Sequence, residues 1–304
     1  MIDCVFSNFI DVDALFEKHG FKKTFPVKFR IGPDGKIYIL PEPERCSEGR
    51  ERYSVIILEV DWDEEKIISS SCHDLGEFDS GYCHILPIGE NILMVYSRCC
   101  YNRGNPDKNA TILTLDGRII NKYCFGDGIQ DVYVRHDNTI VTSYFDEGIF
   151  GNFGWGYING VQPIGEPGLI VWNEAGEQLF HAEHDMADCY AMNIDDQNRI
   201  WYYYYDDFKL VCLSDCGEKE FDPHIEGAEF FVLTDDGRKV IFDSGYDDRG
   251  AYEVFDLYKN EQNEKLRFLF NDDELLLYNH QSYGSKAGFV DEKNRMFIKK
   301  FICV

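Results

Sequence analysis

The chain has 304 residues, of which 44% are hydrophobic and 15% aromatic, so it can bury a core of its own and is not a disordered chain. Its 30 lysines and arginines stand against 55 aspartates and glutamates, and the net charge of −25 disfavours direct binding to nucleic acid or to an anionic membrane. No apolar run approaches the ~20 residues that a membrane-spanning helix needs.

The N-terminal segment differs from a secretory signal, because Asp3, Asp11 and Asp13 occur where such a signal is apolar. The 11 cysteines are odd in number and have no regular spacing. We therefore expect a cytoplasmic protein whose thiols are free and reduced. A short helix is expected near residues 11–19, with an aspartate at its start and Gly20 after its end.

A turn followed by a strand recurs along the chain. Each copy has Asp, Asn or Gly in the turn and then a run of β-branched, aromatic and aliphatic residues, as in PDGKIYIL. The copies are centred on Gly35, Asn91, Asn138, Asn198, Gly237 and Asn294. Their mean separation of roughly 50 residues matches six blades of four strands each.

A second series of turns alternates with the first, and its Asp-Gly and Ala-Gly pairs supply the positive φ that hairpin turns need. This series is centred on Glu64, Gly117, Gly176, Gly217 and Asn260. The two series predict an all-β fold, a six-bladed β-propeller that forms a single domain over residues 1–304. A seven-bladed propeller and paired β-sandwiches are the alternatives. The C-terminal segment RMFIKKFICV is expected to close the ring or to form an innermost strand.

The pattern of turns and strands resembles the six-bladed propellers of the NHL and SMP-30/lactonase type over nearly the whole chain. The segment from Ser143 to Gly156 resembles uncharacterised bacterial propeller-like proteins. The first resemblance implies an alternative function, a metal-dependent lactonase-like hydrolase with its site at the channel. Lactonases of this type hold a divalent ion with a Glu, an Asn and an Asp from different blades, and these ligands have no residue-by-residue match in this sequence. The available side chains are those of Asp146, Asn152, Asp206 and Asp243.

Residues six to nine positions after the first series of turns should lie on one face of the propeller, because they end equivalent strands. Acidic and aromatic side chains alternate there, a combination that binds Arg and Lys side chains. The competing interpretation is that the tyrosines pack between blades and the acids are solvated turn residues. The loop from Ser143 to Gly156, which is rich in glycine and aromatic residues, adds further apolar side chains and either forms a recognition surface or plugs the central channel. The predicted partner-binding residues are Tyr144, Phe145, Asp146, Glu147, Phe150, Phe153, Trp155, Tyr204, Tyr205, Asp206, Asp207, Asp247 and Asp248.

Two local patterns resemble sites of chemistry without matching them. His181 and His184 lie where a strand is expected, so their side chains should point to opposite faces and not share a metal ion. The repeated FDSGY segment, at residues 78–82 and 242–246, lacks the earlier glycine and the following helix of a nucleophile elbow. The sequence therefore predicts no catalytic residue, no metal and no cofactor.

We predict a non-catalytic, cytoplasmic protein-binding module, monomeric by itself, that recognises a basic protein through an acidic and aromatic face. A more specific hypothesis is an immunity or inhibitor protein that neutralises a toxin such as a nuclease. Strong negative charge would mimic nucleic acid and accelerate encounter with such a partner.

Overall fold

The computed structural model describes residues 1–47, 49–156, 158, 160–246, 250–259 and 263–302. Within these residues the chain forms six sheets around a central channel, each built on four antiparallel strands. The six-bladed β-propeller predicted from the turn spacing is confirmed. None of the helices in the described ranges is both long and apolar enough to cross a membrane.

The chain begins with three short elements, β1 (Ile2–Val5), β2 (Ile10–Asp11) and helix α1 (Val12–His19). Blade 1 contains β3 (Lys28–Ile31), β4 (Ile37–Leu40), β5 (Glu44–Ser47), β6 (Arg50–Asp61) and β7 (Lys66–Asp79). Blade 2 contains β8 (His84–Ile88), β9 (Asn91–Val95), an inserted hairpin of β10 (Tyr101–Asn102) and β11 (Asn105–Pro106), β12 (Ala110–Leu113) and β13 (Ile119–Tyr123). Blade 3 contains β14 (Ile129–Val134), β15 (Ile140–Tyr144), α2 (Asp146–Phe150), β16 (Leu169–Trp172) and β17 (Gln178–His181).

The remaining blades complete the ring. Blade 4 contains β18 (Asp188–Ile194), β19 (Ile200–Tyr205), β20 (Leu210–Ser214) and β21 (Gly217–Phe221). Blade 5 contains β22 (Phe231–Leu233), β23 (Lys239–Asp243), β24 (Tyr252–Asp256), β25 (Glu264–Phe270) and the short β26 (Asp273–Glu274). Blade 6 contains β27 (Leu277–Tyr283), β28 (Lys286–Asp291) and β29 (Arg295–Lys300). The innermost strands, which face the channel, are β3, β8, β14, β18, β22 and β27.

Strands from both ends of the chain close the ring. The outermost strand of blade 6 is β2, in which Ile10 pairs with Met296 and Asp11 with Arg295 of β29. The expectation that the C-terminal segment helps to close the ring is confirmed, whereas its placement as an innermost strand is wrong. That position belongs to β27, which precedes it in the same sheet. At the outer edge of blade 5, β1 runs parallel to β25.

Helix α1 follows directly from the closing strand. The Asp11 side chain accepts a hydrogen bond from the backbone N–H of Ala14 at 2.9 Å and so caps the helix start. Gly20 ends the helix with a φ of 81°, a conformation that glycine adopts without strain. Leu15 and Phe16 are buried against the adjoining blades, which fixes the helix on the ring.

The first series of turns joins the first and second strands of blades 1 to 5. In two of these turns, Asn138 and Asn198 have the predicted positive φ, at 65° and 64°. Asn294 departs from this rule, because it joins the second and third strands of blade 6 and lies at the other end of that blade. The equivalent turn of blade 6 is at Gly284, with a φ of 57°. It was missed because no Asp or Asn accompanies that glycine.

The blades pack face to face, so a middle strand is covered on both sides. In β19, the run Ile200–Tyr204 is buried throughout and does not alternate between buried and exposed residues. Between blades 5 and 6, the ring of Phe289 lies 4.8 Å from that of Phe268 and 5.5 Å from that of Phe230. The aromatic content of the sequence therefore serves mainly the interfaces between blades.

Candidate functional site

The connections between the second and third strands lie at one end of the ring, which we call the upper face. In blades 3, 4 and 5 this face carries residues 145–168, 206–209 and 244–251, apart from the positions outside the described ranges. The turns of both hairpin series lie at the opposite end, the lower face, except Asn294. Asn260 of the second series lies outside the described residues. The acidic and aromatic segments singled out in the sequence thus share one face.

Most of the predicted partner-binding side chains that the structure describes reach solvent on the upper face. Phe150 is 60% exposed, Phe153 49% and Tyr205 38%. Asp146, Asp206 and Asp207 are exposed, whereas Phe145 and Glu147 are half-buried. Asp247 and Asp248 lie outside the described residues.

For three of the predicted partner-binding residues the prediction is wrong, because their side chains are buried. Tyr144 donates its hydroxyl proton to the carbonyl oxygen of Phe125 at 2.5 Å. The indole N–H of Trp155 donates to the carbonyl oxygen of Cys99 at 2.8 Å. Tyr204 is 2% exposed and packs between blades. For the two tyrosines the competing interpretation, packing between blades, is the correct one, and the prediction that Trp155 is a contact residue is wrong because its side chain is buried.

Arg98 organises the part of the upper face that surrounds α2. Its guanidinium pairs with the carboxylates of Glu147 and of Asp127, the latter at 3.0 Å. It also lies 4.4 Å from the ring centroid of Phe153 and 5.3 Å from that of Phe145. Arg98 was not predicted from the sequence, because it lies far along the chain from the acidic and aromatic residues that it contacts.

Four aromatic rings form a continuous cluster beside the channel mouth. Tyr205 stacks on Tyr190 at 5.9 Å and meets Phe208 edge to face at 5.4 Å. The hydroxyls of Tyr190 and Tyr246 are hydrogen-bonded at 2.7 Å. The cluster joins blades 4 and 5 across the upper face. Tyr190 and Phe208 were not predicted, since only tertiary packing brings them to Tyr205.

Two carboxyl groups near this cluster have strongly perturbed acidity. Burial, reinforced by the negative charges of Asp146 and Glu229, raises the pKa of Asp188 to about 7. One oxygen of Asp188 is buried without a hydrogen-bond partner. Burial also raises the pKa of Asp243 to about 7, although it accepts backbone N–H bonds from Glu229 and Phe230 at 3.0 and 3.2 Å. In the part of the chain that the structure describes, no lysine or arginine forms an ion pair with Asp188, so its deprotonated carboxylate adds uncompensated negative charge to the upper face.

A cavity of about 250 Å³ lies in the channel beneath the upper face. In its wall Arg30 pairs with Asp131 at 2.6 Å and donates hydrogen bonds to Gln281 and to Nδ1 of His84. The cavity wall also includes Gln130, Tyr190, Glu229, Asn279 and His280.

Below the cavity, a hydrogen bond crosses the channel between opposite blades. Tyr133 of blade 3 donates to the carbonyl oxygen of Ser282 in blade 6 at 2.9 Å. The channel therefore contains a polar cavity under the upper face.

Two histidines beside Arg30 and in the cavity wall, His84 and His280, are neutral near pH 7. Burial and the charge of Arg30 hold the pKa of His84 well below its usual range. Because Arg30 donates to Nδ1, the proton of His84 is on Nε2 and points to the hydroxyl of Ser97 at 3.1 Å. Burial lowers the pKa of His280 to about 4, and its Nδ1 is buried without a partner.

The metal-binding alternatives find no matching geometry in the described part of the chain. No group of three or more His, Cys, Asp or Glu side chains in it is arranged to hold a metal ion. His184 instead contacts Glu218 at 2.9 Å, while Nδ1 of His181 lies 3.0 Å from the carbonyl oxygen of Ala182. Asn152 accepts a hydrogen bond from the backbone N–H of Phe153 at 2.8 Å.

The closed ring of six blades places the chain among the β-propellers, a class that supports many unrelated functions. No protein-family model matches the sequence. No curated protein matches it either.

Solved structures match the fold over most of the chain. The β-propeller domain of Cps50 (Swd1) from Myceliophteria thermophila is 6% identical, with 97% of this chain and 99% of that chain covered and a TM-score of 0.53. A streptogramin B lyase is 11% identical, with coverages of 91% and 95% and a TM-score of 0.51. Virginiamycin B lyase from Staphylococcus aureus is 11% identical, with coverages of 90% and 94% and a TM-score of 0.50. At these identities the likeness concerns the fold alone.

Proposed function

We propose that the protein is a protein-binding propeller whose upper face recognises a basic segment of a protein partner. The observation that carries the proposal is the grouping of exposed carboxylates and exposed aromatic rings from blades 3 and 4 on one face. Among the described residues, no lysine or arginine pairs with Asp146, Asp206 or Asp207 within 4.0 Å. Such carboxylates are available to cations of a partner, and the net charge of −25 would speed the encounter.

The environment of Arg98 supports the proposal, because it shows how the same face accommodates a guanidinium group. Two carboxylates neutralise the charge, and two aromatic rings lie within 5.3 Å of the guanidinium carbon. An incoming Arg or Lys would meet the same chemistry at Asp206 and Asp207 beside Tyr205. The aromatic rings would supply rigid contact area at low entropic cost.

A specific form of the proposal is an immunity or inhibitor protein that neutralises a basic toxin such as a nuclease. It is supported by the excess of carboxylates, which would compete with phosphate for the same cationic groups. The test is a competition in which a basic ribonuclease is offered this protein and duplex RNA together. Loss of nuclease activity that salt reverses would support this form, and unchanged activity at stoichiometric excess would reject it.

The general proposal is tested with two variants of equal net charge. The face variant combines Asp146→Asn, Asp206→Asn and Asp207→Asn. Glu147 is left intact because it holds Arg98. The control variant combines Glu90→Gln, Glu174→Gln and Asp196→Asn, which are exposed residues in turns of the lower face.

The probe is a fluorescent peptide of alternating arginine and glycine, with a citrulline peptide as the neutral analogue. Fluorescence anisotropy of the peptide is measured at about 50 and about 300 mM NaCl. The comparison distinguishes long-range electrostatic attraction, which salt screens, from short-range contacts. We expect the face variant to lose about tenfold in affinity and the control variant to lose less than about threefold. An equal loss in both variants would show that the peptide senses only net charge, and the proposed site would be abandoned.

Binding should also depend on pH through Asp188. As pH rises from about 6 to about 8, Asp188 loses its proton, so affinity for the arginine peptide should increase. Histidines lose positive charge in the same range, and therefore the decisive comparison is with Asp188→Asn. Its pH profile should be flatter than that of the native protein. Identical profiles would exclude Asp188 from the site.

A further inference from the structure

Two cysteines of blade 2 lie side by side under the upper face. Cys99 is in the connection between β9 and β12, and Cys124 directly follows β13. Their sulfur atoms are 3.6 Å apart. A disulfide requires about 2.05 Å, so the two sulfur atoms would have to approach by roughly 1.5 Å to form one.

We propose that Cys99 and Cys124 form a reversible disulfide, a modification site that responds to the thiol–disulfide balance around the protein. This inference is independent of the proposed binding function. It rests on the sulfur–sulfur distance and on the unequal surroundings of the two thiols.

The surroundings assign a different role to each cysteine. Cys124 is half-buried and can be reached by a small disulfide, whereas Cys99 is 2% exposed. The Cys99 thiol lies 3.3 Å from the carbonyl oxygen of Asp107 and 3.6 Å from the sulfur of Cys124, and either can accept its proton in a hydrogen bond. When the Cys124 sulfur accepts it, this bond lowers the pKa of Cys124. Cys124 is therefore the attacking thiolate, and Cys99 is the thiol that resolves the mixed disulfide.

The reaction is balanced with oxidised glutathione as the oxidant. The Cys124 thiolate attacks one sulfur of glutathione disulfide and releases one glutathione thiolate. The Cys99 thiol then loses its proton, attacks the Cys124 sulfur and releases the second glutathione. The two protein thiols lose two electrons and two protons in total, and one glutathione disulfide becomes two thiols.

Local packing indicates that the bond would form without unfolding the blade. The backbone N–H of Cys99 donates to Asp127 at 2.7 Å, and its carbonyl oxygen accepts from Trp155 at 2.8 Å. These contacts hold the Cys99 backbone while the side chain rotates. Asp127 also binds Arg98, so the site adjoins the network that supports α2.

The experiment equilibrates the native protein in glutathione buffers of increasing oxidised fraction, blocks free thiols with an alkylating agent and maps peptides by mass spectrometry without reduction. We expect a Cys99–Cys124 cross-linked peptide, two hydrogen masses below the sum of its parts, that disappears on return to reducing buffer. The matched control variants are Cys83→Ser and Cys100→Ser, which should keep this peptide. Cys99→Ser should stop the reaction at glutathionylated Cys124.

Three results would overturn the proposal. They are a Cys124 that stays alkylated in every buffer, a glutathione adduct on Cys124 in the native protein that never resolves, and a cross-link between Cys124 and Cys100 instead. The decisive measurement is made on the native chain, so it does not depend on the folding of any variant.

Discussion

At the scale of single residues, the carboxyl of Asp188 lies at the candidate site and lowers the stability of the folded protein when it is ionised. A carboxyl with a raised pKa binds its proton more tightly in the folded than in the unfolded chain. The folded state therefore loses stability as pH rises from the ordinary value of 3.8 to about 7, and the whole loss is present above that range. Perturbed carboxyls of this kind are frequent at functional sites.

The prediction for this residue is that Asp188→Asn stabilises the protein above pH 7. An amide has nearly the same shape and no charge to bury, so a gain of about 1 kcal/mol is expected there and little change near pH 4. Thermal melting at several pH values measures it. Asp215→Asn, at an exposed turn between β20 and β21, is the control and should show no such dependence. A destabilised Asp188→Asn protein at pH 8 would contradict the argument.

At the scale of elements, the N-terminal segment is an integral part of the ring. Between β1 and β2, the ring of Phe6 packs at 5.4 Å from Phe268 of blade 5 and at 5.1 Å from Phe297 of blade 6. The same short segment thus joins two neighbouring blades and completes the last of them. Its apolar contacts hold the closure in addition to the few strand hydrogen bonds of β2.

Phe6→Ala should therefore destabilise the protein by about 3–5 kcal/mol, the usual cost of truncating a buried phenylalanine. Phe9→Ala is the matched control in the same segment. Phe9 is 41% exposed, so its truncation should cost clearly less. Urea denaturation of both variants tests the prediction. Similar losses for the two would show that the closure does not depend on the Phe6 contacts.

At the scale of the whole molecule, self-repulsion accompanies the net charge of −25. Salt screens such repulsion, so the melting temperature should rise between about 20 and about 300 mM NaCl. The lower-face control variant, which carries three fewer negative charges, should melt higher than the native protein at low salt and converge with it at high salt. Differential scanning fluorimetry measures the melting temperatures of both proteins at each salt concentration. A melting temperature independent of salt would mean that local ion pairs outweigh the overall charge.

Much of the architecture could be predicted from the sequence. Turn chemistry is local, since Asp, Asn and Gly set the positive φ of a hairpin by themselves, and two alternating series of such turns therefore predicted six four-stranded blades. The Asn294 turn was assigned to the wrong end of its blade, because the same local chemistry serves either end. The sequence also identified the segments of the upper face, since residues that end equivalent strands must share one side of a ring.

Only the tertiary structure decided which of those side chains are available and what surrounds them. Tyr144, Tyr204 and Trp155 look like their exposed neighbours in sequence, but blade packing buries them. Arg98 meets Glu147, and Cys99 meets Cys124, across chain distances that carry no local signal. Burial and long-range contact depend on how blades pack against one another. Turn spacing determines the number of blades, whereas the packing between blades determines the chemistry of the face.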